Sequence, residues 1–329
     1  YTFNLTQAEK DALYSDMVNV TSKTYRIYLN TNDNAYRKTA DRTFVITDAN
    51  PVFTNWTYAD INPTTLALTG SNQKVVKGLS DVRATVSVAN KMVPQKKATA
   101  VNYTFVAGNK TEQKAYSNSS AVTLDITGVS SDSLVVRATD SRQLTTEVVK
   151  DLGSNFLEYA KPNIENVKLE REGDVSTTTK LTFNGTWWND SFGAQSNTLT
   201  MHYRYKRTTV SNYGETWYPI TATISGNTFS FAANVHGDLG AEGFSADSAF
   251  DVQIRVRDKF IATTEHIYTA FLGSGVPLQA FGEQGVAFGA PYDESLGGAV
   301  QATGKIIGDT LEIKKITMGG KMLLEWVDE

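Results

Sequence analysis

Three histidines, no cysteine and five tryptophans bound the chemistry that this chain of 329 residues can perform. His202, His236 and His266 lie far apart in sequence and form no His-Glu-x-x-His pair, so no zinc-protease helix is encoded. Without cysteine there is no thiolate nucleophile, no disulfide, and no cysteine-ligated zinc or iron–sulfur site. A Gly-x-Ser-x-Gly elbow is absent, and no glycine-rich phosphate loop precedes a lysine-threonine pair. The carboxylates Asp247, Asp251 and Asp258 fall short of an Asp-x-Asp-x-Asp-Gly calcium loop. A glycosidase needs only two carboxylates about 5–10 Å apart, and Glu170, Glu172 and Asp174 sit in turn-like stretches better suited to edges. The expectation is a non-enzyme with no catalytic residue, no metal and no cofactor.

What remains is aromatic. Trp187-Trp188-Asn189-Asp190, with Tyr213 and Trp217 further on, sets flat rings beside amide and carboxylate groups. Rings offer apolar faces to sugar C–H groups, while Asn and Asp orient hydroxyls. Adjacent Trp187 and Trp188 on a strand must point to opposite faces, so these residues form the candidate glycan contact. Packing in a core is the competing role for the same rings.

The elements that would hold these residues are strands. Thr, Ser, Asn, Val and Tyr abound, and alternation is clean in Val82-x-Ala84-x-Val86, Val101-x-Tyr103-x-Phe105, Val122-x-Leu124-x-Ile126 and Phe250-x-Val252-x-Ile254-x-Val256. One helix is expected, over 7–17, announced by the capping box Thr6-x-x-Glu9. The strand pattern Tyr25, Ile27 and Leu29 follows it, with Phe44 and Ile46 inward beyond that. Proline breaks at Asn50-Pro51 and Lys161-Pro162 divide the chain. Residues 1–50 read as the closing part of a β domain whose beginning lies upstream, so the chain reads as a fragment of a longer polypeptide. Residues 51–160 and 161–272 each read as an Ig-like antiparallel sandwich.

An internal echo supports the pairing. Leu134-Val-Val-Arg-Ala-Thr-Asp140 and Val252-Gln-Ile-Arg-Val-Arg-Asp258 each lead into a turn and a Thr-Thr-Glu strand. Each is expected to be the last hairpin of its sandwich, with the aspartate holding the turn. From Gly273 to the end the chain is a glycine-rich β module with little apolar surface of its own, and Met322-Leu-Leu-Glu-Trp-Val327 supplies a surface for association.

A net charge of −4 and scattered basic residues exclude the footprint of a nucleic-acid binder. No apolar run reaches the roughly 18 residues of a membrane-spanning helix, so no membrane insertion is expected.

The run Phe281-Gly-Glu-Gln-Gly-Val-Ala-Phe-Gly-Ala-Pro-Tyr-Asp293, followed by Gly297-Gly-Ala-Val-Gln301, resembles the end of siphophage minor structural, tail-tip proteins of Gram-positive hosts. The opening Phe3-Asn-Leu-Thr-Gln-Ala-Glu-Lys-Asp-Ala-Leu-Tyr14 and the Asn50-Pro51-x-Phe53 boundary share the likeness. The resemblance implies a virion protein of the tail tip or baseplate, bound to other tail proteins as a homotrimer. Its action would be extracellular, spacing and presenting a contact to host cell-wall polysaccharide. A bacterial surface adhesin with Ig-like repeats and a tail-associated glycan hydrolase are the rival readings.

Overall fold

The computed structural model describes residues 4–30, 36–173, 176–260, 266–275, 278–280, 286–288, 300–302, 315–318 and 321–325. Its chain clusters into two compact units. Unit 1 comprises Tyr1–Lys161, Trp188–Thr198 and Asp258–Phe260, and unit 2 comprises Pro162–Trp187, Leu199–Arg257 and Ile261–Glu329.

Unit 1 opens with α1 (Gln7–Asp16), closed by the capping box: Glu9 N–H donates to Thr6 Oγ1 and Thr6 N–H donates to Glu9 Oε2 at 2.7 Å. Met17 is the C-cap rather than the last helical residue, and it is buried with Ile46 and Ala49. Strands β1 (Ser22–Asn30) and β2 (Arg37–Val45) form an antiparallel ribbon by themselves. Their register puts Tyr25 and Ile27 on one side, yet Ile27 stays exposed. Cross-strand pairs hold the ribbon instead: Arg26 with Asp41, Thr24 with Thr43, and Arg37 over the Tyr28 ring.

The sandwich of unit 1 runs β3 (Thr57–Asp60), α2 (Pro63–Thr69), β4 (Val75–Val76), β5 (Val82–Val86), β6 (Ala100–Ala107), β7 (Lys110–Ala115), β8 (Val122–Ile126), β9 (Ser133–Asp140), β10 (Thr145–Asp151) and β11 (Phe156–Leu157). A β3-β5-β8 sheet lies over a β10-β9-β6-β7 sheet. Alternate residues Val82, Ala84, Val86, Tyr103, Phe105, Leu124, Leu134 and Val136 meet between them around the fully buried Trp56. Each valine, leucine and phenylalanine among them contributes about 1.5–3 kcal/mol by leaving water. Val101, expected inward with Tyr103 and Phe105, is exposed because the β6–β9 register shifts between Ala100 and Asn102, and the extra residue turns outward.

Helix α2 is a second helix that the sequence reading omitted. Its signals are local. Asn62 caps it by accepting from Thr64 N–H at 2.9 Å, Pro63 opens it, and Gly70 ends it in the left-handed region at φ +66°. Seven residues give no long apolar stripe, and three of them are threonine, which favours strands.

Unit 2 repeats the plan with β12 (Asn163–Arg171), β13 (Thr179–Thr186), β14 (Thr200–Arg207), β15 (Tyr218–Ile220), β16 (Thr223–Ser225), β17 (Thr228–Asn234), β18 (Phe250–Arg257) and β19 (His266–Leu272). The sheets are β12-β13-β17-β16 and β15-β14-β18-β19. Between them lie Leu181, Phe183, Met201, Tyr203, Phe229, Phe244, Phe250, Val252, Ile254 and Val256. Gly185 is required where the Phe229 ring and the Asn163 carbonyl close over its backbone, leaving no room for a Cβ. The fold is all-β, with tandem Ig-like antiparallel sandwiches.

Both echoed segments are the final hairpin of their sheet, β9–β10 and β18–β19. Each aspartate holds its turn. Asp140 Oδ1 accepts from the Arg142 and Leu144 amides at 2.9 and 3.0 Å, and Asp258 Oδ1 accepts from the Phe260 amide at 2.9 Å. Arg142 donates to the carbonyls of Met17, Tyr14, Gln95 and Lys96, tying the α1 segment down. Arg171 does the equivalent within unit 2, donating to the carbonyls of Gly273, Ser176, Phe244, Ser245 and Ser248.

In the C-terminal module, β20 (Leu278–Ala280) pairs antiparallel with β21 (Val286–Phe288), which pairs parallel with β22 (Val300–Ala302). Strands β23 (Lys315–Met318) and β24 (Lys321–Glu325) form an antiparallel hairpin. The glycine-rich runs 281–285 and 289–299, Trp326 and Val327, and the Thr-Thr-Glu of 263–265, lie outside the described residues.

Candidate functional site

Trp187 continues the inward side of β13 after Leu181, Phe183 and Gly185, and it is buried in the unit 2 core with its amide bonded to the Asn227 carbonyl at 2.9 Å. Trp188 belongs to unit 1. There its ring lies 4.6 Å from that of Phe192 and 5.9 Å, edge to face, from that of Tyr159, in a cluster that also holds Leu68, Val76 and Phe260. Polar bonds fix the cluster. Tyr159 Oη donates to Asp258 Oδ2 at 2.9 Å, and Asn197 Nδ2 donates to that oxygen at 3.3 Å and to the Trp188 carbonyl at 2.7 Å. Burial, then the Asp258 charge and the bond to it, raise the pKa of Tyr159 well above the usual phenol range.

Asn189 and Asp190 are exposed, and Asp190 shapes the loop by accepting the Ser191 amide at 2.6 Å and, through its carbonyl, the Asn197 amide at 2.9 Å. The tetrapeptide therefore does not act as one platform. Its two rings serve different cores.

Tyr213 and Trp217 are brought together, on the outer face of the β15-β14-β18-β19 sheet. Because β14 sends Met201, Tyr203 and Tyr205 to the core side, it sends His202, Arg204 and Lys206 outward. Strand β18 likewise sends Asp251, Gln253, Arg255 and Arg257 outward. Register places Arg204 opposite Gln253, Lys206 opposite Asp251, and His202 opposite Arg255. The Arg204 guanidinium carbon is 4.9 Å from the centre of the Tyr213 ring and 4.5 Å from that of Trp217. Arg255 lies 4.0 Å from the Trp217 ring, and Lys206 Nζ lies 5.4 Å from Tyr213. Cations and rings thus alternate in one stack. Gln253 Oε1 accepts from Arg204 Nε at 2.9 Å, and Lys206 pairs with Asp251 at 3.1 Å.

Burial, then the charges of Arg255 and Arg257, push the pKa of His202 below the usual imidazole range. On β19 the same face carries Ile267 opposite Arg255 and Phe271 opposite Asp251, and Phe271 is 62% exposed. Of Arg204, Lys206, Arg255 and Phe271, the sequence reading reached only Arg255, as a residue of the 252–258 strand. Alternation marks them as outward-facing, but the strand pairing that stacks them is long-range.

Among the described residues no group of three or more His, Cys, Asp or Glu could hold a metal ion. Asp251 is in the Lys206 ion pair and Asp258 in the Tyr159 cluster, so with Asp247 they form no common site. No described helix is long and apolar enough to cross a membrane.

No family model matches the chain, and no curated protein matches it. Among solved structures it is similar to a multi-domain stretch of titin at 13% identity and a TM-score of 0.22, covering 73% of this chain and 70% of that one. It is also similar to the fibronectin(III)-like modules of Clostridium thermocellum CbhA, at 13% identity and a TM-score of 0.19, covering 61% of this chain and 89% of that one.

Proposed function

We propose that this chain is a structural, host-adhesion component of a phage tail tip or baseplate, working in the virion among other tail proteins as a homotrimer. The tandem Ig-like sandwich architecture is compatible with an adhesion or structural role. The observation that carries the adhesion reading is the cation–aromatic face of unit 2, held on rigid paired strands rather than on loops. The phage assignment is supported by the resemblance of Phe281–Asp293 and of the opening segment to siphophage tail-tip proteins. Sandwiches of this kind space a contact, and copies in a trimer multiply a weak one. In this reading the chain acts as a binder rather than a hydrolase.

The test is electron microscopy of siphophage particles labelled with antibodies against the chain, paired with sedimentation of the purified chain on Gram-positive cell walls. Label at the tail tip and co-sedimentation are expected. A chain found only on bacterial surfaces would contradict the phage assignment, and release of reducing ends from the walls would contradict the non-enzymatic one.

A further inference from the structure

We infer that the outer edge of β2 is a docking site for an acidic β-strand of a partner protein, which joins the β1–β2 ribbon as its third strand. The inference is independent of the adhesion reading and concerns what this chain assembles with.

The ribbon is regular but unfinished. Among the described residues β1 and β2 pair only with each other, over nine residues each and without a register shift. Neither strand contains proline or glycine. Each therefore sends every second N–H and C=O toward an outer edge that no described strand occupies. A two-stranded ribbon alone is marginal in water, and this one has little core, since every residue of β2 except Phe44 is exposed. Ile27 and Tyr28, 46 and 49% exposed, point to opposite faces, so both faces carry uncovered apolar surface.

The two edges differ. Helix α1 already engages β1, where Asp16 accepts from Lys23 Nζ at 2.8 Å and from Tyr25 Oη at 2.6 Å. The other β1 cation, Arg26, forks onto Asp41 at 2.8 and 3.1 Å. On β2, by contrast, Arg37, Lys38 and Arg42 are exposed and have no carboxylate partner among the described residues. Arg37 stacks on the Tyr28 ring at 4.0 Å, and Arg42 gives one N–H to the Asp41 carbonyl at 3.1 Å. A guanidinium has five donors, so both keep N–H groups for another acceptor. Alternation places Lys38, Ala40 and Arg42 on one face of β2, a small residue between two cations.

Charge decides the occupant. The strands carry Lys23, Arg26, Arg37, Lys38 and Arg42 against Asp41 alone, in a chain whose net charge is −4. Like charges facing each other across a ladder repel, so these cations keep a second copy of the ribbon away. The same cations attract a strand with carboxylates on alternate residues, which meets Lys38 and Arg42 while its backbone completes the β2 ladder. Duplex nucleic acid satisfies the cations but leaves the strand edge unpaired and Ile27 without an apolar neighbour.

The experiment is fluorescence anisotropy of the intact chain with four labelled probes. Three are peptides of about ten residues, alternating Glu-Val, Lys-Val and Glu-Pro, and the fourth is duplex DNA. Glu-Pro keeps the charge but cannot donate a continuous ladder. Glu-Val is expected to bind, more weakly as salt rises from about 50 to about 200 mM. Its carbon-13 carbonyls should then show the infrared shift of a paired antiparallel strand. Lys-Val should not bind, and Glu-Pro and DNA should bind at least several-fold more weakly than Glu-Val. The variant Arg37→Gln/Lys38→Gln/Arg42→Gln should lose roughly tenfold, the scale of three exposed ion pairs. Lys180→Gln, an exposed charge in unit 2, should bind as the parent does. Failure of Glu-Val to bind would overturn the inference. Glu-Pro or DNA binding as tightly as Glu-Val would overturn the strand assignment, and equal losses for Lys180→Gln and the triple variant would overturn the site. Should the triple variant lose the ribbon, the ranking of probes on the parent still decides.

Discussion

Trp188 and Trp217 look alike in the sequence, each a tryptophan beside polar residues in a loop-like stretch. Around Trp188 the neighbours are Tyr159, Phe192 and Leu68, so the ring closes an apolar cluster of unit 1. Around Trp217 they are Arg204 and Arg255, so the ring organises charge on the surface of unit 2. An aromatic residue is a stabiliser or a recognition element according to what meets its faces. In this chain Tyr159 and Leu68 reach Trp188 from distant parts of the sequence, and the neighbours of Trp217 come from two separate strands.

The contrast can be broken by substitution. Trp188→Ala should cost about 3–5 kcal/mol, the range for a large aromatic removed from a core, seen as an early transition in thermal unfolding of unit 1. Because multi-domain unfolding is not two-state, the first transition is the quantity to follow. If Trp188→Ala unfolds with the parent, the cluster is not a core.

Tyr159→Phe should cost about 1–3 kcal/mol, since it removes the hydroxyl that donates to the buried Asp258 while Asn197 keeps its bond. The pH dependence has a definite sign. Tyr159 has a folded pKa raised above its unfolded value near 10. Its stabilisation is therefore complete below about pH 10 and is lost as pH rises above that value. Urea midpoints measured between neutral pH and about pH 11 should fall for the parent and fall less for Tyr159→Phe. Tyr203 in unit 2, pushed up to about 12 chiefly by burial, leaves a residual slope.

Trp217→Ala should cost only about 1 kcal/mol, because the ring is half-exposed and its cation contacts persist in water. A loss as large as that of Trp188→Ala would erase the distinction. Smallest of all is the Arg83–Asp125 pair on the surface of unit 1, bidentate at 2.8 and 2.7 Å. Arg83→Gln should change stability only slightly, because an exposed ion pair is screened by water and salt. The hydrogen bond from Arg83 lowers the Asp125 pKa, so this contribution is present above about pH 4 and lost as the carboxylate protonates. Comparing the parent and variant at about pH 7 and about pH 3 checks it.

Much of the fold is legible in local pattern. Val82-Ala84-Val86 and Phe250-Val252-Ile254-Val256 alternate because one face of each strand is buried, and the capping box at Thr6 and Glu9 needs only four residues. The hairpin aspartates Asp140 and Asp258 were readable for the same reason. Helix α2 was not, since a seven-residue helix rich in threonine is set by its cap and by packing. The outward turn of Val101 depends on a register shift against β9, which no local pattern records. The candidate site was half legible: Tyr213 and Trp217 were identified by ring type, while Arg204 and Arg255 meet only when β14 pairs with β18 across some fifty residues. Trp187 and Trp188, adjacent in sequence, part because one continues the β13 alternation and the other enters a different core.

The most direct test of the account is wall binding measured side by side for Trp188→Leu and for Arg204→Gln/Arg255→Gln, below the first unfolding transition of each. The account predicts that the Trp188 variant melts earlier yet sediments with Gram-positive walls as the parent does, while the arginine variant melts closer to the parent and stays in solution. Wall binding lost with Trp188 and retained without the two arginines would contradict it.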